Sequence, residues 1–292
     1  MINHVTPQVH SQKPAPDQQP GATIEILRDE PCDSTRPGCM NCGIFFNSLA
    51  PFRFCSCQQN LIVAISNRVT AQGPKKRPSY LADRRTFSDL LVVDPTDYNV
   101  HRHQWEENLL PKKREMYARH INDDRDPKRD KKHSVFVKVE NAIKPVKEWQ
   151  MSKPRTVATT SNKVNHLLGP AVQSYSKTLE RKLLALDSFV IFCYTMKFPQ
   201  LSKIVSETWE SFDQPIVISL DYSSADTSID QWNMARYHDV LLRSGADPVE
   251  IEPILQELPY ESTSRNGLSV FAPNTLATGL PITFIPTTHF VY

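Results

Sequence analysis

The spacing of hydrophobic and polar residues predicts a chain that mixes strands with helices. Apolar and polar residues alternate over Ser134–Glu140 (SVFVKVE), which is typical of a strand with one buried face. Apolar residues recur at helical spacing from Leu168 to Leu183, which predicts an amphipathic helix. Two short apolar runs, Asn60–Ser66 and Pro215–Leu220, are interpreted as further strands, the second of a buried type.

Helix-boundary signals predict one further helix, and charge density indicates another. Ser228 and Gln231 have the spacing of a capping box, and Gly245 is a suitable C-terminal stop for the helix that follows them. The charge-dense segment Lys112–Lys132 is expected to form an exposed helix followed by a loop. Residues 1–24 contain four prolines and almost no large apolar side chains, so we expect a disordered leader there.

Composition narrows the class of protein. Of the 292 residues, 8 are glycine and 23 are proline, which excludes collagen-like and glycine-rich chains and indicates connections punctuated by proline. No apolar run reaches the ~18 residues of a membrane-spanning helix, and the N-terminus lacks the apolar region of a secretory signal. The six cysteines are therefore expected to lie in a reducing compartment, where disulfides are disfavoured.

The formal net charge of +2 conceals a strong asymmetry along the chain. Residues 111–155 hold 14 Lys and Arg against 7 Asp and Glu, whereas residues 207–261 hold 2 Arg against 12 acidic residues. A basic segment can follow a phosphate backbone, and an acidic one can hold divalent cations. Two solvated surfaces of opposite charge would give the same pattern, so the charge alone leaves both interpretations open.

Two aspartates follow the Pro215–Leu220 run in a pattern that suits a metal site. The predicted strand delivers Asp221 at its end, and Asp226 follows five residues later, near a helix start. Magnesium ions held by one or two carboxylates can bind substrate phosphates and lower the barrier to phosphoryl transfer. A helix cap at Asp226 and a turn at Asp221 would also fit, and Asp230 is expected on a solvated helix face.

Three basic residues lie in and after the Ser134–Glu140 strand. Lys138 is on the predicted strand, and Lys153 and Arg155 flank Pro154. Proline favours extended geometry around it, so Lys153 and Arg155 are expected on one face. Such a pair could grip a triphosphate, since Arg binds phosphate oxygens bidentately, although an ordinary basic loop has the same composition.

Three segments, taken in order, resemble motifs of one enzyme family. FVKVE followed by KPRTV resembles the finger motif F, SLDYSSAD resembles the palm motif A, and TGLPIT (residues 278–283) resembles the palm motif B. On these motifs the chain resembles the RNA-dependent RNA polymerases of positive-strand RNA viruses, most closely the tombusvirus-like group. The resemblance covers residues 134–288, about half of the chain.

The resemblance implies an α+β fold: the fingers and a partial palm of a right-hand polymerase, with an antiparallel sheet backed by helices and a cysteine-containing N-terminal region. Composition marks the leader (1–24) and an N-terminal cysteine-rich region (25–110), and the resemblance adds fingers with motif F (111–200) and a partial palm with motifs A and B (201–292). The basic fingers would then hold the incoming nucleotide, and the acidic palm would hold metal.

The resemblance also implies a role for each candidate site residue. Lys138, Lys153 and Arg155 would hold the triphosphate. Asp221 would bind Mg²⁺ or Mn²⁺, and Asp226 would contact the ribose 2′-OH. In motif B, Thr278, Gly279 and Thr283 would position the template and the nucleotide. Two departures stand out: Thr287 replaces the family's motif B asparagine, and Gly-Asp-Asp does not occur in the sequence.

The expected partners are an RNA template, its product and ribonucleoside triphosphates. The expected location is a viral replication complex in the host cytoplasm, with membrane association through other viral or host proteins. Because the Gly-Asp-Asp carboxylates are absent, the 292 residues are predicted to be inactive alone.

Five cysteines in the N-terminal region suggest a structural zinc site. Cys39 and Cys42 have the spacing of a zinc half-site, and Cys55 and Cys57 could supply two more thiolates. In this arrangement Cys32 is left over and no histidine is identified as a ligand. Unmetallated thiols are the alternative.

Two other functions remain open on the sequence. A non-catalytic RNA-binding protein, or a zinc-containing viral accessory protein, would also bind RNA but would not need a nucleotide and Mg²⁺ at Asp221. A reverse transcriptase would normally exclude the 2′-OH with a bulky side chain near position 226, so the aspartate there favours ribonucleotides.

Overall fold

The structure is a computed structural model that describes residues 8–13, 17–30, 32, 49–73, 89–105, 107–119, 133–185, 196–217, 227, 229–256 and 258–276. The strands in these ranges are β1 Gln8–Val9, β2 Thr23–Ile26, β3 Leu49–Phe54, β4 His133–Val137, β5 Ala142–Pro145, β6 Thr156–Thr159, β7 Tyr260–Thr263 and β8 Leu268–Ala272. The helices are α1 Gln58–Arg68, α2 Pro95–His103, α3 Pro111–Ala118, α4 Asn162–Ala185, α5 Phe198–Glu210, α6 Gln231–Arg243, α7 Pro248–Ile251 and α8 Pro253–Gln256.

Two sheets organise these elements. The larger has five strands in the order β2-β8-β7-β4-β6, antiparallel except for the parallel pair β4 and β7. The smaller has the order β1-β3-β5, with β1 parallel and β5 antiparallel to β3. The fold is α+β with antiparallel-rich sheets backed by helices, as predicted. Strands of the larger sheet come from the segments that the sequence analysis assigned to the leader, the fingers and the palm.

A continuous hydrophobic core lies between the larger sheet and the helices. Helix α1 packs on β4 and β6, and helix α2 packs along α4. The strand predicted over Ser134–Glu140 is β4, whose buried and exposed residues alternate. The predicted amphipathic helix is α4, and its stripe from Leu168 to Leu183 is buried. These are the two segments with the clearest periodicity.

The strand predicted over Asn60–Ser66 is wrong, because this segment lies inside helix α1. The Cys57 side chain caps the helix by accepting a hydrogen bond from the Asn60 backbone N–H. Leu61, Ala64 and Ile65 are buried at helical spacing on the face that meets the sheet. A short apolar run does not distinguish a buried strand from a buried helix, and here the cap and the packing decide.

The prediction of a disordered leader does not hold for residues 8–13 and 17–24. Strand β1 pairs with β3, and Thr23 and Ile24 begin β2 at the edge of the larger sheet. Gln19 is buried and donates hydrogen bonds from Nε2 to Val69 O and Thr275 Oγ1, both at 2.9 Å. Backbone pairing and polar contacts order this segment without large apolar side chains, which compositional reasoning does not detect.

The helix predicted from the Ser228 and Gln231 capping signal is α6, but its N-cap is Asp230 and not Ser228. Asp230 is its N-cap and accepts a hydrogen bond from the Asn233 N–H, so Asp230 does not lie on a solvated helix face as predicted. Gly245 follows the helix end with φ of 93°, as expected for a helix stop. Residues 215–217 form no strand, and the rest of the predicted Pro215–Leu220 strand lies outside the described residues, as does Ser228. Helix α3 confirms the helix predicted at Lys112.

Among the described helices, none is long and apolar enough to cross a membrane.

Candidate functional site

The end of the β4–β6 pair brings two of the predicted triphosphate-binding residues together. Val137 lies opposite Thr156 in the antiparallel register. Lys138 therefore lies opposite Arg155 just beyond the strand ends, and its backbone N–H donates to Arg155 O at 2.8 Å. The sheet thus holds the two side chains next to each other although they are far apart in sequence.

Lys153 joins the same surface through extended geometry. Lys153 and Arg155 are exposed, whereas Ser152, Pro154 and Thr156 are buried. This alternation places the two basic side chains on the solvent side of the segment, in agreement with the prediction from Lys153-Pro154-Arg155.

Glu140 lies between the cations. Its carboxylate accepts from Lys138 Nζ at 2.7 Å and from Arg155 Nη1 at 3.3 Å. The hydrogen bond from Lys138, together with Arg155, lowers the pKa of Glu140 below its ordinary value. All three side chains are partly exposed, so the ion pairs orient the cations more than they stabilise the fold. We call Lys138, Glu140, Lys153 and Arg155 the basic cluster.

Sequence reasoning did not assign a role to Glu140, although a signal was present. In F-x-K-x-E, Lys138 and Glu140 are two positions apart and so share a face of an extended chain. A carboxylate at this spacing can form an ion pair that orients the lysine side chain. A phosphate group could replace the carboxylate as the partner of the lysine.

Several predicted site residues lie outside the described residues, and their roles stay predictions. These are Asp221, Asp226, Thr278, Gly279, Thr283, Cys39 and Cys42. Thr227, next to Asp226, is described and is 4% exposed. A Cβ atom added at Gly73 would lie 2.4 Å from Thr227 O, so the glycine permits close backbone packing beside motif A.

The second candidate site is a group of four potential metal ligands in the N-terminal region: His10, Cys32, Cys55 and Cys57. Their ligand atoms all lie within 4.8 Å of one another. Cys32 Sγ is 3.3 Å from His10 Nε2 and 3.7 Å from Cys55 Sγ. We call this group the His/Cys cluster.

The His/Cys cluster shares only Cys55 and Cys57 with the set predicted from sequence. Sequence reasoning left Cys32 over and identified no histidine as a ligand, whereas the structure places both Cys32 and His10 beside Cys55. His10 lies 22 positions before Cys32, in the segment predicted to be disordered, so no spacing rule could have identified it.

Two thiols of the cluster, those of Cys55 and Cys57, lie in surroundings that favour the protonated form. Burial, assisted by the neighbouring Cys57 and Cys32, raises the pKa of the Cys55 thiol to about 12. Burial also raises the pKa of Cys57, although the Asn60 N–H acts in the opposite direction. A cation among the three sulfurs would offset this cost, because thiolates are the form that binds metal.

Comparison with known proteins gives a match of structure without a match of sequence. No family model and no curated protein sequence matches the chain. Among solved structures, the Sicinivirus 3Dpol RNA-dependent RNA polymerase matches with a TM-score of 0.51 and 11% identity. The match covers 97% of this chain and 64% of that polymerase.

At this identity the match shows a shared fold. The fold of the chain is similar to that of this viral RNA-dependent RNA polymerase, and the chain spans 64% of the length of the Sicinivirus protein. This confirms the predicted fold class. The match is to a Sicinivirus protein and does not single out the tombusvirus-like group.

Proposed function

We propose that this chain is the fingers and part of the palm of an RNA-dependent RNA polymerase. The observation that carries the proposal is the fold match over 97% of the chain, with the basic cluster at the end of the β4–β6 pair. The order of motifs F, A and B along the sequence supports the same conclusion independently of the fold.

In this function the basic cluster binds the triphosphate of the incoming ribonucleotide. Arg155 and Lys138 are held side by side by the β4–β6 register, and Lys153 is exposed on the same segment as Arg155. Glu140 keeps the two cations in position while the site is empty. A triphosphate would replace this carboxylate as their partner and would gain charge-assisted hydrogen bonds.

The remaining roles are carried by residues for which the motif resemblance is the support. Asp221 would hold Mg²⁺ or Mn²⁺, which in the two-metal mechanism neutralises charge on the reacting oxygens. Asp226 would accept a hydrogen bond from the ribose 2′-OH, and Thr278, Gly279 and Thr283 would position the template and the nucleotide. The proposed relationship to the tombusvirus-like group rests on the amino-acid sequences of the three motifs.

The biological setting follows from the same proposal. The chain would act on an RNA template, with its RNA product and ribonucleoside triphosphates as the other partners. It would act in a viral replication complex in the host cytoplasm, where membrane association would come from other viral or host proteins.

Triphosphate selectivity tests the proposal and separates it from non-catalytic RNA binding. We would measure the Kd values of the 292-residue chain for a fluorescent ribonucleoside triphosphate, its monophosphate and a single-stranded RNA. We expect the triphosphate to bind more tightly than the monophosphate, and Arg155→Ala to weaken triphosphate binding about 10-fold or more. This loss corresponds to hydrogen bonds between charged groups worth roughly 1.5–3 kcal/mol.

Lys203→Ala is the matched control, because Lys203 is an exposed cation in an ion pair with Glu207 on helix α5. This variant should retain both affinities. Equal affinity for triphosphate and monophosphate, with RNA binding intact, would overturn the polymerase proposal and favour an RNA-binding accessory protein. Equal effects of Arg155→Ala and Lys203→Ala would overturn the role of the basic cluster.

A further inference from the structure

We propose that His10, Cys32, Cys55 and Cys57 bind one structural Zn²⁺ that fastens the N-terminal segment to the rest of the fold. We define the N-terminal segment as residues 8–13 and 17–26. The proposal rests on the geometry of these four side chains and their surroundings. It does not depend on the proposed polymerase activity.

Two of the distances between ligand atoms are close to those of a tetrahedral zinc site, and all four ligand atoms lie within 4.8 Å of one another. With Zn–S bonds of about 2.3 Å and Zn–N bonds of about 2.0–2.1 Å, a tetrahedron has S···S edges of about 3.8 Å and N···S edges of about 3.6 Å. The Cys32 Sγ–Cys55 Sγ distance is 3.7 Å, and the His10 Nε2–Cys32 Sγ distance is 3.3 Å. A disulfide needs about 2.05 Å between sulfurs, so Cys32 and Cys55 are not bonded to each other.

Strand β3 and helix α1 present two of the ligands. Cys55 directly follows β3, and Cys57 is the N-cap of α1, two positions later. In extended chain, side chains two positions apart point to the same side, so a single intervening residue is enough for both sulfurs to reach one ion. At the N-terminus of α1 the Asn60 backbone N–H donates to Cys57 Sγ, and this contact orients the sulfur.

Asn60 fixes the backbone around the other ligands. Its side chain is fully buried and donates from Nδ2 to Val9 O at 2.8 Å and to Cys55 O at 2.9 Å. Its Oδ1 accepts from the Ser11 N–H at 2.7 Å. One amide therefore holds both neighbours of His10 and the carbonyl of Cys55. These hydrogen bonds fix the backbone from which the His10 and Cys55 side chains project.

The site would connect the N-terminal segment to the basic cluster. Just after His10, Ser11 Oγ donates to Ser152 O at 2.8 Å, and the Gln12 N–H donates to Gln150 O at 2.7 Å. Ser152 immediately precedes Lys153. Zinc at His10 would therefore support the segment that presents the basic cluster.

Metal analysis of the purified 292-residue chain tests the proposal. We expect about one zinc per chain, and after exchange with Co²⁺ we expect the visible spectrum of tetrahedral cobalt with thiolate charge-transfer bands. His10→Ala, Cys32→Ser and Cys57→Ser should each reduce zinc to well below one per chain. Cys39→Ser and Cys42→Ser are the matched controls and should retain it.

His10→Cys keeps the test decisive if the other variants fold poorly. A fourth thiolate should retain zinc and should increase the thiolate-to-cobalt charge-transfer intensity, a change that a merely structural role of His10 would not produce. Absence of zinc from the wild-type chain, or a Cys32–Cys55 disulfide under reducing conditions, would overturn the proposal. Loss of zinc in the Cys39 and Cys42 variants, with retention in the His10 and Cys32 variants, would assign the metal to the other cysteines.

Discussion

Asn60→Ala tests whether the packing around the His/Cys cluster holds the N-terminal segment in place. The substitution removes three hydrogen bonds: two to a distant segment, at Val9 and Ser11, and one to Cys55, five positions away. At about 1 kcal/mol each, their loss costs about 3 kcal/mol, and a buried N–H left without a partner adds to this. Alanine regains about 0.5 kcal/mol of helix propensity. We therefore expect the free energy of unfolding to fall by about 3 kcal/mol.

Asn67→Ala provides a matched control on the same helix. Asn67 is also buried, but its side chain makes one local hydrogen bond, from Nδ2 to Val63 O at 2.7 Å. The gain in helix propensity is the same at both positions, so the difference between the variants reports mainly on the two hydrogen bonds to Val9 and Ser11. We expect Asn67→Ala to cost about 0.5 kcal/mol, since one lost hydrogen bond of about 1 kcal/mol is partly offset by helix propensity.

Urea denaturation of zinc-loaded protein measures both changes. With a urea dependence of roughly 3 kcal/mol per molar for a chain of this size, Asn60→Ala should lower the midpoint by about 1 M and Asn67→Ala by about 0.2 M. Hydrogen exchange at the Gln12 amide should accelerate in the Asn60 variant alone, because that amide is bonded across to Gln150. Equal destabilisation by the two variants would refute the reasoning.

Four further predictions follow from other parts of the chain. Gly267→Ala should lower the free energy of unfolding by about 2 kcal/mol, because Gly267 has φ of 72° and an added Cβ would lie 2.5 Å from Arg28 O. Gly21 also has a positive φ, but the nearest atom to an added Cβ is 3.7 Å away. Gly21→Ala should therefore cost about 1 kcal/mol in the same denaturation assay. Because the pKa of Glu140 is lowered in the folded state, its ion pairs stabilise the fold above the unfolded-state pKa of about 4.3, and this stabilisation is lost as the pH falls through the folded-state pKa. Glu140→Gln should therefore reduce the pH dependence of the free energy of unfolding in acid titrations. At pH 7 the variant should cost less than about 1 kcal/mol. Asp221→Asn, in a polymerase that contains this chain, should abolish nucleotide incorporation and leave RNA binding nearly unchanged in a filter-binding assay, and retained incorporation would exclude Asp221 as the metal ligand. Asp226→Ala in the same enzyme should reduce the preference for ribonucleotides over deoxyribonucleotides in competition assays, and an unchanged ratio would reject its contact with the 2′-OH.

Elements with a sustained period could be predicted from the sequence. Strand β4 and helix α4 each bury one face of a regular pattern, so alternation and helical spacing were sufficient to identify them. The shared surface of Lys153 and Arg155 followed from proline geometry for the same reason: the constraint is local. Gly245 also marked its helix end locally, through its positive φ.

Contacts between distant segments could not be predicted in this way. Cys57 caps α1 through a thiol, which is not among the usual capping residues, so the helix start at Gln58 gave no signal. The β1–β3 pairing and the hydrogen bonds of Asn60 bring His10 to the cysteines, and neither a two-residue strand nor such a contact leaves a pattern in a sequence. Nothing in the sequence distinguishes Asn60 from other polar residues, because its role depends on three hydrogen-bond partners that only the fold brings together.

The N-terminal segment connects the two candidate sites and the region before motif B. At its start, β1 and Ser11 bring His10 to the cysteines and contact the residues before Lys153. Further along, Gln19 binds Thr275, three residues before Thr278. Strand β2 then pairs with β8, the last described strand. Strand pairing and hydrogen bonds hold this polar segment in place. A metal ion bound at His10 would add a further point of attachment where the segment begins.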